Sequence, residues 1–159
     1  MAKIYLETFI DAPIERVFDL SRSIDLHKLS TKATNEEAVA GKTKGLINLN
    51  ETVTWKAKHL GVYQYLTVAI TEFDRPNLFA DKMVKGTFKS MYHIHKFEKS
   101  GIGTKMIDIF EFTSPLGFLG RFAERIFLKS YMTKFLNIRN NEIKSIAEGD
   151  KWKQLIDTT

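Results

Sequence analysis

Two histidines one residue apart, His93 and His95, and an aspartate, Asp108, are the residues of this chain best suited to chemistry. In an extended segment residues i and i+2 share a face, so the two imidazoles project together. Imidazole can donate, accept, carry a proton near neutrality or ligate a metal. A carboxylate beside it can form a charge-assisted hydrogen bond, or act with it as general acid and base. His-x-His also resembles a two-histidine metal arm, for which zinc needs a further ligand. Asp108, Asp81 and His59 are the candidates, and none stands at a fixed spacing from the pair. The expectation is therefore no metal and no cofactor. With no cysteine, thiolate sites and cysteine nucleophiles are excluded. There is no Gly-x-Ser-x-Gly, P-loop or dinucleotide-binding glycine motif.

These side chains need strands to position them. At 88–98 one face carries Met91, His93, His95 and Phe97, the other Tyr92, Ile94 and Lys96. At 104–113 one face carries Thr104, Met106, Asp108, Phe110 and Phe112, the other Lys105, Ile107, Ile109 and Glu111. Lys96, Lys105 and Glu111 belong in water, which turns His93, His95 and Asp108 inward. A buried carboxylate without a partner is expensive, so Asp108 is expected to be paired. At 51–59 Val53, Trp55, Ala57 and His59 alternate with Thr52, Thr54, Lys56 and Lys58. Trp55 therefore faces inward, as core or as cavity wall. At 78–84 a solvated Lys82 turns Asp81 and Met83 inward.

The rest of the chain supplies a frame. Residues 3–10 read as a strand, Pro13 and Glu15 open a short helix, and 24–30 form a second. Residues 31–45 are polar and read as a loop. From 46 to 113 strands follow at 46–50, 51–59, 62–73, 78–84, 87–98 and 104–113. Their connections are too short for parallel crossovers, so neighbours are antiparallel. From 119 to 147 the period becomes helical, with Leu119, Phe122, Ala123, Ile126, Phe127, Tyr131, Phe135 and Ile138 on an apolar stripe. Arg121, Arg125, Lys129, Lys134 and Arg139 read as its wet face. Phe127, Tyr131 and Phe135 look into the interior or seal it.

A chain of 159 residues is one domain and can build a core without staples. Twelve phenylalanines imply a large apolar volume, packed or lined. The net charge of +5 comes from scattered lysines with no basic block, so no nucleic-acid partner is expected. No apolar run approaches the ~18 residues of a spanning helix, so no integral membrane association is expected. The lack of a leader-like start and of cysteine points to the cytoplasm.

Strand, two short helices, a six-strand meander and a long C-terminal helix, over about residues 2–147, is an order that resembles the START-like (SRPBCC) superfamily. The segments that carry the resemblance are IDAPIERVFDL at 10–20, ETVTWKAKHLG at 51–61, ITEFDRPNLFADKMVKGTF at 70–88, YHIHKFE at 92–98, GTKMIDIFEF at 103–112 and SPLGFLG at 114–120. The superfamily includes polyketide cyclases, lipid-transfer domains and the birch pollen allergen. Within it the chain is similar to a bacterial subfamily loosely labelled cell-division inhibitors or ligand-binding proteins. The resemblance implies an α+β helix-grip fold. A curved antiparallel sheet of six or seven strands wraps the long C-terminal helix, two short helices follow the first strand, and a cavity lies between sheet and helix. It implies a domain over residues 1–149, with 150–159 as a tail, that binds a hydrophobic or amphipathic small molecule such as a lipid, polyketide or aromatic. Taken with the facing pattern, the ligand-binding residues are Trp55, Asp81, Met83, His93, His95, Met106, Asp108, Phe110, Phe127 and Tyr131. His93, His95 and Asp108 would orient a polar head, and no residue is assigned a catalytic role. Two alternatives stay open: a cyclase or aromatase using the His/Asp cluster, and a protein-interaction module with a filled interior and an exposed apolar patch.

Overall fold

The computed structural model describes residues 1–115, 122 and 127–156. Its elements are β1 (Ala2–Ile10), α1 (Ile14–Ser21), α2 (Ile24–Ser30), a 3-10 turn (Lys32–Thr34), β2 (Glu37–Gly41), β3 (Thr52–His59), β4 (Val62–Asp74), β5 (Leu78–Lys85), β6 (Ser90–Ser100), β7 (Gly103–Thr113), α3 (Lys129–Glu148) and α4 (Trp152–Ile156). The seven strands form one antiparallel sheet in the order β1-β7-β6-β5-β4-β3-β2. With the long helix against it and two short helices after β1, this is a helix-grip α+β fold.

Local chemistry explains the helices. Pro13 precedes α1, where its fixed φ is harmless, and Ile14, Val17, Phe18 and Leu20 are buried on one face. Phe18 is fully buried, with Phe73, Phe79 and Phe97 edge-on at 5.2–5.4 Å between centroids. α2 begins at Ser23, whose Oγ accepts the Leu26 N–H at 3.2 Å. Ser23→Ala should therefore cost about 1 kcal/mol in urea denaturation, the usual worth of such a cap. An unchanged midpoint would show that the cap contributes nothing here.

One strand lies elsewhere than the sequence pattern suggests. Residues 46–50 form no strand beyond a single bridge from Leu46 to Ser23, and Asn50 sits at φ 65. The edge strand comes instead from Glu37–Gly41, inside the expected loop, and pairs with β3. Its sequence, EAVAG, is poor in β-formers, so pairing rather than propensity makes it a strand. It ends at Gly41, at φ 71, where a Cβ would come within 2.3 Å of the Thr52 carbonyl oxygen. Register shifts at Ala38/Ala40, Thr67/Val68 and Ile70/Glu72 put irregularities into the β2–β3 and β4–β5 pairs. Such bulges bend a sheet, here around α3.

Of the expected helix over 119–147, the C-terminal part is α3. Residues 119–121 and 123–126 lie outside the described residues. α3 buries Met132, Leu136, Arg139, Asn140, Ile143, Ile146 and Ala147. Arg139, expected on the wet face, is thus buried at 4 % exposure, whereas Ile138 is 47 % exposed. The spacing from Leu136 to Arg139 to Ile143 carries the arginine onto the apolar stripe. The helix end is tied to the start of the chain: Glu148 accepts the Asp11 N–H at 2.9 Å, and Arg16 donates to the Ala147 carbonyl at 3.0 Å. Beyond it, α4 rests on α1, with the Arg16 guanidinium 4.0 Å above the Trp152 ring. Among the described residues no helix is long and apolar enough to cross a membrane.

Candidate functional site

Between the concave face of the sheet and α3 lies a cavity of about 440 Å³. Val53, Trp55, Val68, Ile70, Met91 and Phe110 form its sheet wall, and Met132, Phe135 and Leu136 its helix wall. The inward phase of β3 follows from period-two alternation: Val53, Trp55 and Ala57 are buried between more exposed neighbours. Leu60, Tyr65 and Phe127 line the cavity yet are more than half exposed, so they mark its opening.

All four histidines line this cavity, in two polar groups. The inner group is a product of strand register. Asp81 on β5 stands opposite His93 on β6, and His95 stands opposite Asp108 on β7. The hydrogen bonds run diagonally, which long side chains can reach. His93 Nε2–H donates to Asp108 Oδ1 at 2.8 Å, and His95 Nε2–H donates to Asp81 Oδ1 at 3.0 Å. An ionised carboxylate only accepts, so each Nε2 carries the proton. Asp108 is inaccessible and further held by Asn140 Nδ2 on Oδ2 at 2.7 Å and Arg139 Nη1 on Oδ1 at 3.4 Å. Arg139 also donates to the Ser21 carbonyl at 3.2 Å. His95 Nδ1 lies 3.1 Å from Asp108 Oδ1 but out of alignment, and has no hydrogen-bond partner. Phe79 stacks on the His95 ring at 4.2 Å between centroids.

Burial opposes ionisation of Asp108, but the bond from His93 and the Arg139 charge hold its carboxyl well below the usual range. Burial likewise opposes ionisation of Asp81, but the bond from His95 together with the charges of His93, His95 and Arg139 outweighs it, so Asp81 is also lowered. His93 is pushed down to about 4 by burial and by neighbouring His95, against the pull of Asp108. It is a neutral imidazole at pH 7.

The outer group centres on Glu36. His27 Nε2 donates to Glu36 Oε2 at 2.6 Å, and His59 Nε2 lies 3.6 Å from Oε1. His59 Nδ1 meets the Tyr131 hydroxyl at 2.8 Å, and the His27 ring lies 4.2 Å from that of Trp55. Burial works against the Glu36 charge, but the charge and hydrogen bond of His27, with His59, hold its carboxyl down to about 2. Tyr131 is raised by burial and by the Glu36 charge. Tyr131 and Arg139, one per group, are eight residues apart on α3, or ~12 Å along the axis at 1.5 Å per residue.

Of the residues singled out from sequence, Trp55, Asp81, His93, His95, Phe110, Phe127 and Tyr131 line the cavity. Met83, Met106 and Asp108 do not. Met83 packs at the edge of the core. Met106 is sealed inside, its sulfur accepting the Ser21 hydroxyl at 3.4 Å. Asp108 lies beneath the two imidazoles. Among the polar wall residues that sequence reasoning did not place in the site are His27, Glu36 and Arg139. Helical spacing was the available signal for Arg139. Glu36, in a polar stretch read as loop, had none.

Solved structures of similar shape match over more than nine-tenths of the chain. TTHA0849 of Thermus thermophilus matches with a TM-score of 0.73 at 18 % identity, over 92 % of this chain and 99 % of its own. Major latex-like protein 151 of Panax ginseng matches with a TM-score of 0.69 at 17 % identity, over 93 % and 98 %. Protein Ms6760 of Mycobacterium smegmatis matches with a TM-score of 0.67 at 15 % identity, over 91 % and 89 %. At such identities the likeness is one of fold. No protein-family model and no curated protein matches the chain.

Proposed function

We propose that this helix-grip chain is a START-like protein whose cavity binds a hydrophobic or amphipathic small molecule, with residues 1–149 as the binding unit and the cytoplasm as its place of action. The observation that carries the reading is the cavity of about 440 Å³ with apolar walls and two polar groups. Small-molecule sites typically occupy ~300–1,000 Å³ and pair an apolar wall with a few placed polar groups. In this reading the body of the ligand lies against Trp55, Phe110 and Phe135. Its polar substituents meet Asp81, His93, His95 and Arg139 at one end and Glu36, His59 and Tyr131 at the other. A ligand with hydrogen-bonding groups ~12 Å apart would engage both, by the helix rise between Tyr131 and Arg139.

The inner group supports a second reading, acid–base chemistry of the cyclase or aromatase kind. Asp81, His93, His95 and Arg139 reach the cavity instead of being sealed under it. Geometry of that kind is the first requirement for proton transfer to a bound molecule.

The test uses Trp55 fluorescence in a Trp152→Phe background, titrated with a polycyclic aromatic probe and with a fluorescent fatty acid. Saturable quenching at one probe per chain is expected. Ala57→Phe, which places a ring in the cavity, should weaken binding at least tenfold without lowering the melting temperature by more than a few degrees. Absence of quenching with every probe, or quenching untouched by Ala57→Phe, would remove the reading. Native mass spectrometry of protein from its own host would identify a co-purifying ligand directly.

A further inference from the structure

We propose that Asp81, His93 and His95 form a site for one divalent transition-metal ion, held by two imidazoles and one carboxylate at the inner end of the cavity. The sequence expectation of no metal rested on the lack of a third ligand at fixed spacing. The pairing of β5 with β6 supplies that ligand by setting Asp81 opposite His93. One ligating atom from each of the three residues lies within 4.8 Å of the others. Asp81 Oδ1 is 3.0 Å from His95 Nε2 and 4.0 Å from His93 Nδ1. Bonds of ~2.0–2.2 Å to zinc put neighbouring ligand atoms about 3–4 Å apart, so the side chains are near a ligating arrangement.

The outer atoms of the same residues carry the argument further. Metal-bound histidines usually donate their other ring N–H to a carboxylate or carbonyl, which fixes tautomer and orientation. Asp108 stands ready to serve both rings. It already accepts from His93 Nε2, which leaves His93 Nδ1 with its lone pair toward Asp81. His95 is the mismatch. With its proton on Nε2, its Nδ1 lone pair sits 3.1 Å from Asp108 Oδ1, buried and without a partner. An ion on Nε2 places the proton on Nδ1, next to the Asp108 carboxylate. That nitrogen, the one unpartnered buried side-chain nitrogen or oxygen among the described residues, then carries an N–H 3.1 Å from a carboxylate oxygen, and a turn of the ring toward the ion is what would align the two.

Charge points the same way. Asp81 and Asp108 carry two negative charges against the single positive charge of Arg139, so the cluster is net negative and favours a cation. Asp81, His93 and His95 all line the cavity, so the open coordination positions of the ion face whatever occupies it. Two nitrogens and one oxygen suit zinc or iron(II) rather than calcium or magnesium.

The full chain, stripped with a chelator, is titrated with Zn²⁺ by calorimetry and with Co²⁺ by visible absorption. The expected result is one ion per chain with Kd on the order of 1 μM or tighter, and Co²⁺ bands of a four- or five-coordinate site. Asp81→Asn and His93→Ala should each weaken binding at least a hundredfold. Asp108→Asn, which touches no ligating position, should weaken it ~10–100-fold. Circular dichroism establishes that each variant is folded. Asp81→Asn keeps the test decisive if His93→Ala does not fold, because it is isosteric and borders the cavity. A wild-type chain that binds neither ion, or an affinity that changes less than tenfold in folded Asp81→Asn, overturns the proposal. The apolar-probe titration reads a different event, so a dry result there leaves the metal result intact, and the reverse.

Discussion

Glu36→Gln should cost about 3 kcal/mol of folding stability at pH 7 and almost nothing as the pH approaches 2. The Glu36 side chain is 7 % exposed and is held at about 2 against an ordinary 4.5. Each pKa unit between folded and unfolded chains is worth ~1.36 kcal/mol, so the ionised carboxylate contributes on the order of 3 kcal/mol. The folded pKa is the depressed one. On acidification the unfolded chain therefore takes up the proton first. The contribution is complete above pH 4.5, shrinks as the pH falls, and is gone once the folded carboxyl is protonated near 2. Glutamine keeps the shape and loses the charge. Urea denaturation of both proteins at a series of pH values from 7 to 3 should show two stability curves that converge on the acid side. A gap that stays constant across the series would mean that the charge of Glu36 is not what stabilises the fold.

Asp108→Ala should destabilise the chain by ~3–5 kcal/mol, the usual result of removing one partner of a buried ion pair. The substitution strips the acceptor from His93 and Asn140 and leaves the Arg139 charge buried with one carbonyl and one amide oxygen for company. Combining Asp108→Ala with Arg139→Leu removes the stranded charge and should restore part of the loss. Chemical denaturation of the wild type, both single variants and the double variant gives the coupling between the two residues. If Asp108→Ala costs less than 1 kcal/mol, or the double variant loses the sum of the two single effects, Asp108 and Arg139 do not act as a pair.

The sheet was readable where alternation is strict. Lysines and threonines on one side of 52–58 left no doubt about Val53, Trp55 and Ala57, and the strands that hold the inner group were punctuated by Pro76, Gly86 and Gly101. The partnering of Asp108 followed from its apolar neighbours, because a lone buried carboxylate is too costly. What failed was legibility of a different kind. β2 is a strand only because β3 offers it an edge, and EAVAG carries no pattern of its own. Arg139 was assigned by charge although its spacing placed it inward, and a buried arginine makes sense only once Asp108 is seen across from it. Glu36 and His27 come from separate segments, and which residues such segments bring together is decided by tertiary packing alone.

Among the described residues β1 has its only sheet partner in β7: Ala2 faces Phe112 and Ile10 faces Thr104. On the ribosome, which extends chains at ~5–20 residues per second, that partner appears seconds after β1 has emerged. Throughout that interval a strand with Ile4, Leu6 and Ile10 on one side has both edges unpaired. Mixed topologies with such distant contacts also close slowly, because loop entropy must be overcome before the contact rewards it. Nascent chains of this protein should therefore depend on holdase chaperones until β7 is clear of the exit tunnel. Translation slowed after β6 would lengthen that dependence, whereas the same pause placed after β7 would not.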